Sequence, residues 1–201
     1  MKKKKYYLIG ILALALAIIG YHYLAASQAE KQIDKAIQEQ AERTNTISVQ
    51  YSRIDIAPFS ADITFNNLNI ILGNHIERAQ KLKIDLGYLD FLNIYIGGAE
   101  YGLDHLDKAM IIAISPSYTN KVELQEIKSD SLTIAYQGNA LDGVQSAVNG
   151  TAFGADQSLE LQGSNIIFSV PRTLLSKVTA QNLNYSGTIS KTGNNFWKKG
   201  T

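Results

Sequence analysis

For 21 residues, from position 6 to position 26, the chain carries no Asp, Glu, Lys or Arg. The run reads YYLIGILALALAIIGYHYLAA. A bilayer's hydrocarbon core is crossed by roughly 20 apolar residues at a rise of about 1.5 Å each, so this run is long enough to span. No other segment limits the architecture as sharply. Lys2, Lys3, Lys4 and Lys5 stand directly before it, and by the positive-inside rule they hold the N-terminal end in the cytoplasm and send the rest of the chain outward. Tyr6, Tyr7, Tyr21 and Tyr23 bracket the run where interfacial aromatics gather, with His22 at its outer edge. These lysines and tyrosines are the expected anchor residues of a single pass through the inner membrane, with a periplasmic domain beyond it.

The alternative is a cleaved signal peptide, whose apolar stretch is shorter, about 7–15 residues. Residues 8–19 alone fit that length, and Ala25-Ala26-Ser27 offers small residues for cleavage. Against cleavage stand the bulky Tyr21-His22-Tyr23 cluster and a helical pattern that continues past the run. Residues 27–44, SQAEKQIDKAIQEQAERT, lack Gly and Pro and are rich in strong helix formers. Ile33, Ala36, Ile37 and Ala41 make a thin apolar stripe at helical spacing. The expectation is a short helical stalk, or a helix capping one end of the next domain.

Averaged over the chain, the net charge of +1 hides this asymmetry. Residues 1–26 hold four Lys and no acid, leaving 15 basic and 18 acidic groups on the other 175 residues, a net of −3. An acidic body does not suit a phosphate-backbone binder, so no nucleic acid partner is expected. The chain has no Cys, which removes disulfide scaffolds, thiolate zinc sites and thiol catalysis.

After position 44 the period changes from 3.6 to 2. Ile47, Val49 and Tyr51 alternate, then Ile54 and Ile56 on the opposite parity. Further alternating runs are Ile63 and Phe65; Leu68, Ile70 and Leu72; Leu82, Ile84 and Leu86; Ile94 and Ile96; Ile112 and Ile114; Val122 and Leu124. Leu132, Ile134 and Tyr136 follow, then Leu159 and Leu161, Ile166, Phe168 and Val170, and Leu183 and Tyr185. Strands of this kind have one apolar and one polar face and build antiparallel sheets with one side wet. The parity switches near Arg53 and Asn67 predict bulges or bends. Turn signals include Ala57-Pro58-Phe59, Gly73-Asn74, Gly97-Gly98, Ser115-Pro116-Ser117, Gly138-Asn139 and Asp142-Gly143. Further helix is expected only as a single turn at 88–92, or within 103–108 or 171–177. A short idiom also recurs: Asn67-Leu68-Asn69-Ile70, Lys81-Leu82-Lys83-Ile84, Ser131-Leu132-Thr133-Ile134 and Asn182-Leu183-Asn184-Tyr185. Its uneven spacing excludes a fixed-period solenoid.

The organisation expected is therefore a Lys cluster and transmembrane anchor (1–26), a helical stalk (27–44), an extracytoplasmic antiparallel β domain (45–192) and a tail (193–201). Mainly β, the fold is a transmembrane helix and a short helix followed by a long, curved antiparallel sheet forming an open groove or a flattened barrel.

An ordered series of features carries a family resemblance. An anchor and short helix precede the phrase VQYSRIDIAPFSADITFNNLNI, which turns through a Pro-Phe-Ser corner at Pro58-Phe59-Ser60. The segment HIERAQKLKIDL follows, from His75 to Leu86, then a short hydrophobic turn at Tyr88-Leu89-Asp90-Phe91-Leu92 and a Gly-Gly-Ala. Over residues 47–118, about a third of the chain, this resembles the N-terminal module of AsmA-like proteins, relatives of TamB and of the chorein-type bridge proteins. The resemblance implies a sheet curled around an apolar groove that carries lipid acyl chains, with no catalysis. Its candidate lining is Ile63, Phe65, Leu68, Ile70, Leu82, Ile84, Leu132 and Ile134, the partners being the membrane, phospholipid and envelope proteins.

Chemistry is sparse. His105 has Asp104 and Asp107 beside it, His75 follows a turn signal, and Asp85 and Asp90 are the nearest approach to paired carboxylates. The chain holds no His-x-x-x-His pair, P-loop, Gly-x-Ser-x-Gly elbow or dinucleotide fingerprint. No catalytic residue, metal or cofactor is expected. The competing expectation is an assembly subunit of a membrane, pilus or secretion-type complex that contacts protein partners through its β domain.

Overall fold

The computed structural model describes residues 2–43, 47–149, 154, 156–170, 176–189 and 199–200, without side chains for 2–14 and some later helix and strand positions. A single helix, α1 (Lys2–Arg43), takes in both the apolar run and the expected stalk without a break. Among the described residues eleven strands then form one antiparallel sheet. They are β1 (Ile47–Gln50), β2 (Arg53–Ile56), β3 (Ile63–Leu72), β4 (His75–Asp85), β5 (Lys108–Ile114), β6 (Ser117–Asn120), β7 (Gln125–Lys128), β8 (Ser131–Gln137), β9 (Gln157–Ser169), β10 (Lys177–Ile189) and β11 (Lys199–Gly200). Two further helices interrupt them, α2 (Tyr88–Asp104) and α3 (Ala140–Asn149).

The pairing is simpler than the number of strands suggests. β1 and β2 meet β3 in one continuous register, Ile47 opposite Leu72 and Ile56 opposite Ile63. In the same way β5 and β6 run along β4, and β7 and β8 run along both β5–β6 and β9, without a register shift. Each pair is one long strand with a local interruption. The sheet is thus an up-and-down meander in which sequence neighbours pair, as alternating one-sided strands require.

The interruptions line up. Asn67 (φ 52°), Ser115 (φ 48°) and Asn165 (φ 49°) are non-glycine residues in the left-handed region. Asn and Ser tolerate this because short polar side chains bond locally. Asn67 Nδ2 donates to Ser52 Oγ (3.2 Å), Ser115 N to the Asp130 carbonyl (2.8 Å), and Asn165 Nδ2 to Asp130 Oδ2 (2.6 Å). Ser129 Oγ donates to the carbonyls of Ser131 and Ser164, at 2.7 and 2.6 Å. A polar crease therefore crosses the sheet, and at it the core-facing apolar residues skip three positions instead of two: Tyr51 to Ile54, and Phe65 to Leu68. This is the physical origin of the parity switches in the sequence.

The helices depart furthest from expectation. Residues 88–104 form a 17-residue helix, not a single turn, so Ile94 and Ile96 are helical and Gly97-Gly98 is no turn. Its start is fixed by Gly87 (φ 79°), whose N–H donates to Asp85 Oδ1 (3.2 Å), and by Asp90 in the first turn. Helix α3 passes through Asp142-Gly143, which reads as a turn in the sequence. Asn139 caps it, its Oδ1 accepting from Asp142 N at 2.8 Å. Val122 and Leu124 lie in the turn between β6 and β7, and His75 opens β4 instead of sitting in a turn. The expected helix at 171–177 falls largely outside the described residues.

Chain direction sorts the connections. The β3–β4 turn and the β6–β7 turn lie at one end of the sheet, while the β2–β3 corner, α2 and α3 lie at the other. Helix α1 runs antiparallel to the first strand, from Ile37 and Ile33 beside Val49 and Tyr51 up to His22 beside Phe59. From 22 to 43 the helix is about 32 Å long and the first strand about 30 Å, so the two match.

Candidate functional site

Residues paired directly across an antiparallel sheet share a face, so the registers define transverse rows. One row runs Ile56, Ile63, Ile84, Ile111, Ile134, Leu161 and Tyr185. The next runs Ile54, Phe65, Leu82, Ala113, Leu132, Gly163 and Leu183. Three of the four sequence idioms thus fall in the same two rows, because strands of like direction recur every second position in a meander. The fourth, with Leu68 and Ile70, continues the face beyond the crease. All eight residues expected to line a groove are therefore brought to one face.

That face is not open throughout. Ala26 and Ala29 of α1 pack on Ile54, Ile56, Ala61, Ile63, Phe65, Leu68 and Phe91 to make the buried core, with Ile33, Ile37, Ile70, Leu82 and Ile84 packed against it. The expectation of a groove over Ile63, Phe65 and Leu68 is corrected here: these three are buried in the helix–sheet core. Small alanines on the helix face allow this close approach, which a bulkier stripe would prevent. Polar ties reinforce it: Ile56 N donates to Glu30 Oε1 (2.9 Å), and Tyr51 OH donates to Asp34 Oδ1. Burial first, then this bond and the Asp34 charge, push the Tyr51 hydroxyl up to about 12.

Beyond β4 the same face carries no such cover within that core. Ala113 is buried, Ile111, Leu132, Ile134 and Leu161 are half-buried, and Leu183 is exposed. Of the expected groove residues only Leu132 and Ile134 belong to this uncovered part.

The anchor residues divide in the same way. The side chains of Lys2, Lys3, Lys4, Lys5, Tyr6 and Tyr7 lie outside the described residues. Tyr21 and Tyr23 are exposed, and Tyr23 lies edge-on to Phe59 at 6.3 Å. Among the described residues no helix is long and apolar enough to cross a membrane, and the described side chains of α1 begin only at Ala15.

The remaining polar candidates serve the scaffold. His22 Nδ1 lies 2.8 Å from Tyr88 OH. His75 stacks on Tyr118 with Nδ1 2.6 Å from its hydroxyl. His105 is exposed on Tyr101, Nδ1 2.8 Å from the Tyr101 carbonyl, and among the described residues no three His, Asp or Glu converge as metal ligands. Asp85 and Asp90 border an open cleft of about 490 Å³, where desolvation and the Asp107 charge raise the Asp90 carboxyl. The most buried polar cluster was not anticipated. Tyr136 OH shares its one proton between the Asn139 carbonyl (2.8 Å) and Gln157 Oε1, while Gln157 Nε2 and Gly154 N both donate to Asp142. Burial, then the charges of Asp142 and Asp107, push the Tyr136 hydroxyl up to about 12. These contacts pin α3 to β8 and β9. The N-cap pattern Asn139-Ala140-Leu141-Asp142 was the available signal.

Fold and face together define a helix-covered antiparallel β-meander in which, among the described residues, half of the apolar face lies outside the helix-covered core. No family model matches the chain, and no curated protein matches it.

Proposed function

We propose that this chain is a membrane-anchored extracytoplasmic protein of the bacterial envelope, AsmA-like in its N-terminal part, which shelters lipid acyl chains on the uncovered sheet face without catalysis. The observation that carries the lipid reading is the half-buried apolar surface of Ile111, Leu132, Ile134 and Leu161, bounded on one side by the α1-covered core. An acyl chain laid there would gain about 0.8 kcal/mol per methylene removed from water. The anchor is supported separately. All of residues 15–20 of α1 are exposed, with Leu16 at 61% and Ile18 at 49%, although they are apolar. A helix face of that composition is stable in lipid and not in water. Residues 2–21 extend about 30 Å, the thickness of the hydrocarbon core, and the four preceding lysines set an N-in orientation.

Native mass spectrometry of the detergent-extracted protein tests this. Co-purifying phospholipid is the expected result, lost when Leu132 and Ile134 are both changed to Asn. Protein free of lipid in every preparation would sink the lipid reading. A second reading, an assembly subunit using this face for a protein partner, is favoured by the closure of the β1–β4 part under α1. It predicts a stoichiometric protein companion and no lipid.

A further inference from the structure

Several of the apolar side chains left in water gather where the apolar half of α1 leaves the domain. We propose that the first two turns of α2 and the β2–β3 corner rest on the same lipid surface that α1 enters, as an interfacial platform selecting uncharged headgroups. The inference rests on the membrane-anchor reading above. The His22 ring lies 5.1 Å from Phe59 and 5.3 Å from Tyr88, so this level of α1 is clamped between the corner and the start of α2. Helix α1 runs unbroken through His22. No linker separates anchor from domain, so a bilayer holding residues 6–21 has its surface at the level of Phe59 and Tyr88.

At that level Phe59 is 55% exposed and Leu89, next to Tyr88, 74%; further along α2 Ile96 is 79% exposed. Leu89 and Ile96 are seven residues apart, two helical turns, and share one face of α2. Tyr21 and Tyr23 stand exposed on α1 on either side of His22, Tyr23 against Phe59, the placement of interfacial aromatics. The charge pattern narrows the surface further. Helix α2 contains no Lys or Arg and carries Asp90, Glu100 and Asp104, while at the β2–β3 corner Lys83 is paired with Asp62. Amphipathic helices that seek anionic lipid carry a basic polar face. This one is acidic, so its contact is apolar insertion among zwitterionic headgroups and is insensitive to salt.

Because the chain has no Cys, single cysteines give unique labels. Leu12→Cys, Leu89→Cys, Ile96→Cys and Val122→Cys would each carry an environment-sensitive fluorophore, in the full chain reconstituted into phosphatidylcholine vesicles doped with nitroxide lipid. Val122, 68% exposed at the β6–β7 turn, marks the far end of the sheet, about 40 Å away. The expected result is blue-shifted, quenched emission at 12, 89 and 96, unchanged by salt, with label 122 reporting water. Quenching at 12 with 89 and 96 behaving like 122 overturns the platform and leaves the anchor standing. No quenching at 12 overturns the anchor reading and the platform with it. Quenching at 89 and 96 that requires phosphatidylglycerol overturns the assignment of a neutral surface.

Discussion

The union of α1 with the sheet can be tested by changing Ala29, which is 3% exposed against Ile54 and Ile56. Ala29→Leu adds three carbons at a buried point of the helix–sheet core. Helix propensity changes by only about 0.2 kcal/mol between the two residues, so a freely solvated stalk would be almost indifferent. Overpacking a closed site costs about 1–3 kcal/mol, because helix and sheet must separate or neighbouring rotamers must strain. Taking about 2 kcal/mol, a chain of this size should melt about 4–8 °C lower. Gln32→Leu makes the control: it sits on the exposed side of the same helix, where the expected change is within about 0.5 kcal/mol. Thermal melts of both variants in the same detergent, followed by circular dichroism at a β-sheet wavelength, give the comparison. If Ala29→Leu is as stable as Gln32→Leu, α1 is not part of the core and the account of the covered face is wrong.

Other consequences are more local. Asn139→Ala removes the cap of α3 and should cost about 1 kcal/mol, read as faster amide exchange confined to 140–149. Gly138 has φ 145°, and a Cβ there would collide with Gln157 Oε1, so Gly138→Ala should destabilise by about 1–3 kcal/mol in a urea melt. Tyr51 titrates near 12 in the folded chain against its ordinary 10.0, so its contribution is complete below pH 10 and is lost as pH rises toward 12. Tyr51→Phe should flatten that alkaline limb, leaving the part due to Tyr136, while stability at neutral pH stays far less pH-dependent in both proteins.

The strands were legible because each has one wet face, and alternation is the direct imprint of a surface with one side buried. Even the crease was visible, as the odd step from Phe65 to Leu68. What period 2 could not convey is which strands are halves of one: Ser115-Pro116 reads as a turn, although the register runs straight through it. The two missed helices fail for different reasons. In α2, Ile94 and Ile96 mimic an alternating strand and Gly97-Gly98 mimics a turn, while the helical partners Leu89 and Ile96 face outward and leave no amphipathic signal aimed at the core. In α3 the cap residues Asn139 and Asp142 read equally as turn formers, because the same side-chain chemistry serves both. As for the candidate site, the eight expected lining residues do share one face. What closes over six of them could not be read locally, since it depends on a helix docking back onto strands that follow it in the chain.

That docking leaves one helix with two unlike halves. Below His22 the stripe of Ala26, Ala29, Ile33 and Ile37 is narrow and small, and the rest of the surface is charged, so water and one strand pair suffice. Above it the helix is apolar all round, and no single sheet could cover it. The transition coincides with the level at which Phe59 and Tyr88 grip His22. Covering β1–β4 with the lower half of α1 spends the helix's one apolar stripe, which leaves the rows across Ile111, Ile134 and Leu161 without a partner from the same element. Among the described residues the uncovered rows are therefore a consequence of where α1 docks: a helix laid along β1–β4, with its apolar N-terminal half running on past one end of the sheet, cannot also lie across the sheet's full width.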